Sequence, residues 1–310
     1  MTAREYLWMM KTFILSDNRK DTIAMTVKSM ISLACAAALA LMMTAGCAAP
    51  GASLSLPSTK VMDFDAPLTL KKPAEPVKES PEVLFLGNSF TFYNDLPQTF
   101  LELSYEGGFS PEVYDYTEGY YQLRMFADPQ DELGAEVYDA LENYSWDYVI
   151  LQDHSLLPAI QAEELMYPAA RTLDKMAKDA GGCSVFLMTW AYRDGYDLSE
   201  MGLDTQATRE EMQTQLSKSY TAIADELDAL LCPAGIAFMR SIAQHPDIDL
   251  WDEEDGQHPS EAGSYLAACC MYATIYNESP VGLTYLTENL DADTAAKLQQ
   301  IASDTVLSTE

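Results

Sequence analysis

Positive charge is scarce in this 310-residue chain: 18 Lys and Arg stand against 48 Asp and Glu, a formal charge of −30. Such a surface repels nucleic acid and anionic lipid headgroups, which argues against partners of either kind. Histidine is scarcer still, with three residues, and none of the six cysteines has the Cys-x-x-Cys or Cys/His spacing of a zinc site. No metal and no other cofactor is expected. The chain has no internal repeat. Its longest apolar stretch, residues 31–46, falls short of the roughly 20 residues a membrane-spanning helix needs.

That apolar stretch has another use. It follows Lys28, ends in the small residues Thr44-Ala45-Gly46 and is followed by Cys47, the pattern of a secretory signal. Thr44-Ala45-Gly46-Cys47 also resembles a bacterial lipobox, which implies cleavage before Cys47, lipidation of its thiol and anchoring of the exported protein to the membrane. Residues 1–24 fit no signal pattern, so Met25 is the expected start. The expected organisation is a signal over 1–46, a Pro-, Ser- and Lys-rich tether over 47–80 and one domain over 81–310.

Within the domain, strands and helices alternate. Short apolar runs at Glu82–Leu86, Val113–Tyr116, Asp147–Leu151, Cys183–Trp190 and Gly235–Phe238 predict strands. Helical patterns fall from about Asp95, at 131–143, near 161–180, near 206–231, near 260–276 and near 291–304. This alternation predicts a parallel sheet of about five strands covered on both faces, with reactive groups gathered at the carboxyl ends of the strands. Cys183 and Cys232 each stand at the entry to an expected strand, which leaves open either a disulfide or two buried thiols. Cys269 and Cys270 read as core residues of a helix.

Two segments could carry chemistry. Gly87-Asn88-Ser89-Phe90 lies where the first strand turns into a helix, a place where serine either caps the helix or offers its hydroxyl to a crevice. Asp255-Gly256-Gln257-His258-Pro259-Ser260 can bring a carboxylate and an imidazole together in one turn. A serine hydroxyl needs such an imidazole to take its proton, and the imidazole needs a carboxylate to fix its tautomer. His245 falls in a loop, leaving His154 and His258 as the realistic bases.

Together these segments resemble the first and last sequence blocks of the SGNH (GDSL-like) hydrolase superfamily, Gly-Asp-Ser and Asp-x-x-His, over residues 82 to 277. Leu151-Gln152-Asp153-His154-Ser155, Met188-Thr189-Trp190-Ala191 and His258-Pro259-Ser260 resemble a branch whose first block reads Gly-Asn-Ser-Phe. The resemblance implies a flavodoxin-like three-layer α/β/α domain and ester hydrolysis through an acyl-enzyme. Ser89 would be the nucleophile, His258 the base and Asp255 its orienting acid. The Ser89 and Gly119 amides would hold the oxyanion. The family's third block carries an Asn that also donates there. No Asn stands in this chain's segment, so the expected side-chain donor is Gln152, with His154 the runner-up.

Tyr120, Tyr121 and Trp190 are expected near the crevice, where aromatic rings can stack on sugars, and Tyr93 lies near them. Phe90, Phe92 and Leu123 could equally line an acyl pocket. The leading expectation is hydrolysis of small acyl esters, above all O-acetyl groups on a carbohydrate. A lipase or thioesterase, and a surface lipoprotein that binds carbohydrate without catalysis, are the alternatives.

Overall fold

The computed structural model describes residues 60–199, 203 and 205–307. These fall in one compact unit apart from Leu198–Thr205, which are grouped separately. The expected signal, Met25 and Cys47 lie outside the described residues.

Five parallel strands form the sheet: β1 (Glu82–Gly87), β2 (Glu112–Thr117), β3 (Tyr148–Leu151), β4 (Cys183–Leu187) and β7 (Leu230–Cys232), in the order β2-β1-β3-β4-β7. A two-residue antiparallel pair, β5 (Tyr196–Asp197) with β6 (Gln206–Ala207), lies outside it. Successive residues of a strand face opposite sides. In β1, Val83 and Phe85 enter the main core cluster, while Leu84 and Leu86 are equally buried on the other face. Both faces are therefore covered, as the unbroken apolar runs require.

Helices α1 (Ser89–Phe92) and α2 (Leu96–Glu106) follow β1. Short α3 (Leu123–Phe126) and α4 (Glu132–Asn143) follow β2. After β3 come α5 (Leu157–Ile160), a π-turn at Ala162–Met166 and α6 (Tyr167–Asp179); after β4 comes α7 (Arg209–Glu226). The chain ends in α8 (Ala234–Gln244), α9 (Glu261–Tyr276) and α10 (Ala292–Val306). Helices α2, α8, α9 and α10 pack on one another, as do α3, α4 and α6, giving the three-layer α/β/α arrangement.

Two expectations are corrected. The last strand is Leu230–Cys232, and Gly235–Phe238 belong to α8. Every residue of α8 from Ala234 to Ser241 is buried, so the helix shows no polar face and its short apolar run reads like a core strand. The helix expected to run to residue 231 accordingly ends at Glu226. Residues 60–80, the end of the expected tether, make contacts with the domain. Arg240 donates to the carbonyls of Phe64 and Ala66 (both 2.8 Å), Lys71 pairs with Asp228 (2.8 Å) and Lys78 with Asp147 (2.7 Å).

Of the two states left open for Cys183 and Cys232, the structure shows the free thiols. Cys183 begins β4, whereas Cys232 pairs with Leu187 at its other end. Four residues of strand span about 13 Å, twice the reach of a disulfide. Both are free, as are Cys269 and Cys270 inside the wholly buried stretch of α9. Burial pushes the Cys232 thiol up to about 12 and that of Cys270 well above its ordinary value. Thiol titration of unreduced protein should therefore find all four free after denaturation. In the native state, Cys232, Cys269 and Cys270 should not react.

Candidate active site

Gly87 closes β1 because nothing larger fits: a Cβ there would lie 2.4 Å from Thr91 Oγ1 and 2.6 Å from Gln152 Oε1. Asn88 then caps α1, its Oδ1 accepting the Phe90 N–H at 3.0 Å. Its Nδ2 donates to the Tyr121 carbonyl (2.8 Å) and the Asp153 carbonyl (3.4 Å), tying together the loops after β1, β2 and β3. Only an amide can make this double use, which gives a reason for Asn where the family pattern carries Asp.

Gln152 completes the clamp from behind. Its Oε1 accepts from the Asn88 N–H (2.9 Å) and the Thr91 hydroxyl (2.8 Å), and its Nε2 donates to Asn88 Oδ1 (3.1 Å) and to the Asp153 carbonyl. Both amide hydrogens are committed and the residue is fully buried. Gln152 is thus a support of the elbow, and the expectation that it donates to an oxyanion is not met. The sequence shows an amide of the right type; it does not show that the amide is consumed.

The structure brings Ser89, His258 and Asp255 together. His258 Nε2 lies 2.8 Å from Ser89 Oγ, and His258 Nδ1 lies 2.5 Å from Asp255 Oδ2. Gly256, at φ +64°, lets the loop turn back so that Asp255 Oδ1 also accepts the N–H groups of Gln257 (2.8 Å) and His258 (3.0 Å). Partial burial raises the Asp255 pKa, but these bonds outweigh it and hold the carboxyl below its ordinary range. Asp255 therefore stays ionised opposite Nδ1, which places the Nδ1 proton toward it and leaves Nε2 to accept from Ser89.

Aromatic rings fix this pair in place. Tyr93 stacks on the imidazole with centroids 4.1 Å apart and planes at 14°, and Phe90 meets it at 5.5 Å and 48°. Trp190 stacks on Phe90 (5.0 Å) and on Phe238 (4.5 Å), and its Nε1 donates to the Gln257 carbonyl at 3.2 Å. Trp190 is fully buried, so it is no platform for sugars but a pillar beneath the site. Phe90 and Leu123 are likewise core residues and line no open acyl pocket, whereas Phe92 is exposed. Arg193, which the sequence did not single out, staples the loop: its N–H donates to the Gly256 carbonyl (2.8 Å), and its guanidinium to Asp249 (2.7 Å) and the Trp251 carbonyl (3.3 Å).

For an oxyanion, the Ser89 N–H has no acceptor among the described residues. The Gly119 N–H, by contrast, is bonded to the Glu118 carboxylate at 2.7 Å and is not offered to Ser89 in this structure. His154 accepts the Leu156 N–H at Nδ1 (3.1 Å), so its proton sits on Nε2. Burial pushes its pKa down to about 4, keeping the ring a neutral donor at pH 7. Tyr121 is held by Asp131 (3.0 Å) and packs on Phe126, while Tyr120 is exposed, with φ +65°. Among the described residues, no group of three His, Cys, Asp or Glu could hold a metal.

No protein-family model matches the sequence, and no curated protein matches it. Solved structures do. One, assigned to the SGNH hydrolases and from Slackia heliotrinireducens, is 30% identical over 63% of this chain and 99% of its own, with a TM-score of 0.55. The chain belongs to the SGNH hydrolases. A DUF4886 family protein from Bacteroides uniformis shares the fold, at 18% identity over 74% of this chain and 95% of its own, TM-score 0.59.

Two outcomes follow for this SGNH hydrolase. Asn88→Asp would face a buried carboxylate against the Tyr121 and Asp153 carbonyls. It should lower the unfolding free energy by about 2–4 kcal/mol, read from the urea midpoint. Asp153 is buried, and burial outweighs its bonds from the Leu123 and His154 N–H groups, raising its pKa to about 6. A carboxyl raised on folding stabilises when protonated. Its contribution is therefore full below about pH 4, declines through pH 6 and is absent above, a change of up to about 3 kcal/mol. Denaturation across pH 4–7 should show this decline in the wild type but not in Asp153→Asn.

Proposed function

We propose that this SGNH hydrolase is an exported serine esterase that removes small acyl groups, foremost O-acetyl groups, from a carbohydrate. The observation that carries the reading is the hydrogen-bonded chain Ser89 Oγ–His258 Nε2, His258 Nδ1–Asp255 Oδ2, joined across residues 169 positions apart. In this reading Ser89 Oγ bonds to the ester carbonyl carbon as its proton passes to His258 Nε2. The tetrahedral oxyanion is held by the Ser89 N–H and by the neutral His154 Nε2–H. Collapse expels the sugar oxygen, which takes the proton from His258. Water then repeats the sequence, releasing the acid and restoring Ser89. Asp255 stays ionised throughout and offsets the charge on the imidazolium.

Support for a sugar comes from the rim. Tyr120 sits between Glu118, whose N–H donates to the Gly87 carbonyl (3.3 Å), and Tyr121, whose carbonyl accepts from Asn88 (2.8 Å). An exposed ring is thus tied to the elbow, and exposed Phe92 lies on the segment that follows Ser89. Such rings can stack on pyranose faces. Export and lipidation at Cys47, with the membrane as anchor, suit a large substrate outside the cell. N-terminal mass spectrometry of the expressed precursor tests that part.

A fluorophosphonate probe should label the wild type and leave folded Ser89→Ala unlabelled; equal labelling would overturn the reading. On aryl esters, turnover should fall beyond short acyl chains. A rise with chain length would favour the lipase alternative. His154→Ala should lower kcat by roughly 10²–10³, with His154→Gln recovering part of it.

A further inference from the structure

We propose that Tyr93 is the positioning residue of this site: its ring, laid flat on His258, holds the imidazole between Ser89 and Asp255 and faces the charge the imidazole gains. The inference rests on the reading of Ser89 as nucleophile and His258 as base. Asp255 and Ser89 hold the imidazole at its two nitrogens, but these two hydrogen bonds leave the ring free to tilt about the line that joins them. The Tyr93 stack, at 4.1 Å and 14°, removes that freedom, since any tilt drives one ring edge into the other. Phe90 meets the imidazole obliquely at 5.5 Å and cannot do the same.

The backbone is shaped to deliver this ring. Helix α1 stops after one turn, and the two residues after Tyr93, Asn94 and Asp95, both adopt φ +52°. Asn and Asp are the residues that enter this left-handed region most readily after glycine. The turn is tied to the histidine loop: Asn94 Nδ2 donates to the Pro259 carbonyl and to Ser264 Oγ (both 3.0 Å), and Ser264 Oγ donates to the Tyr93 carbonyl (3.2 Å). The residue after the base and the residue after the stacking ring are thus bonded directly.

The electrostatics agree. Burial, then Asp255, Asp252 and Glu254 push the Tyr93 phenol up, so its hydroxyl stays protonated and the ring neutral. The nearby Arg193 guanidinium is committed to Asp249 and to loop carbonyls. An imidazolium formed during acyl transfer then meets the electron-rich face of a neutral aromatic ring, an attractive contact. Ring and carboxylate therefore both face the charge the imidazole gains during acyl transfer.

The test compares Tyr93→Leu and Tyr93→Phe on one aryl ester, with Ser89→Ala as reference. Tyr93→Leu should lower kcat roughly 10- to 100-fold with KM nearly unchanged, and Tyr93→Phe should stay close to wild type. In proton NMR the His258 ring resonances should be shifted upfield by the stack in wild type and Tyr93→Phe, and should lose that shift in Tyr93→Leu. Tyr93→Met serves the same purpose if the leucine variant does not fold. Wild-type kcat in Tyr93→Leu, or an equal loss in Tyr93→Phe, overturns the proposal while Ser89→Ala remains inactive. An active Ser89→Ala overturns the underlying reading, and this proposal with it.

Discussion

The arrangement of this site depends on one buried ring. Trp190 follows β4 and lies between Phe90, the residue after Ser89, and Phe238 in α8. Its indole N–H holds the carbonyl of Gln257, the residue before His258. The two segments that must meet within a hydrogen bond are therefore both seated on the same side chain. Removing an aromatic side chain of about 150–250 Å² from water is worth at most about 4–6 kcal/mol, whereas its single N–H bond adds about 1 kcal/mol. Packing fixes the depth of the site, and the hydrogen bond sets the register of the histidine loop.

That division of labour recurs around the site. The loop bearing Asp255 and His258 contains Asp252, Glu253 and Glu254 and would repel itself if held by charge alone. It is held instead by backbone bonds: Asp252 N–H to the His258 carbonyl (2.9 Å), Gly256 N–H to the Asp252 carbonyl (3.0 Å) and Arg193 N–H to the Gly256 carbonyl (2.8 Å). The Trp251 indole donates to the Ala191 carbonyl (3.0 Å), adding a second anchor to the segment after β4 that carries Trp190. A strongly acidic chain can thus place a carboxylate beside an imidazole without relying on the surrounding field. The local bonds to Asp255, not the net charge, decide its ionisation.

What could be read from the sequence follows from what each signal measures. Strands β1, β3 and β4 and helices α4 and α10 were legible because apolar runs and periodicity report burial directly, and α9, though buried all round, because its 16 residues are too long for a strand. Helix α8 was not, because a helix buried on every side loses its period, and Leu230–Cys232 is too short to outweigh it. That Ser89, Asp255 and His258 belong together was legible because their residue types and order suit one hydrogen-bonded chain, and the three do meet. Gln152 and Trp190 were misjudged because type and position describe what a side chain offers, not what it has already spent. The Gln152 amide is spent on Asn88 and the Asp153 carbonyl, and the Trp190 ring on Phe90 and Phe238. Tyr93 stood near the expected crevice, but its stack on His258 depends on two left-handed residues that no apolar pattern reveals.

The same distinction bears on the donors around Ser89. Of the groups expected there, Gln152 is consumed and the Gly119 N–H is bonded to the Glu118 carboxylate. The Ser89 N–H and His154 remain. Fixing Nδ1 of His154 with the Leu156 N–H uses the ring's one acceptor but settles its tautomer, and burial keeps it neutral. A neutral donor suits this position better than a charged one. On the proposed reading it would lend a hydrogen bond to an oxyanion without competing with His258 for the Ser89 proton. On the proposed reading, the loop after β3 supplies by burial what the family pattern supplies with an amide.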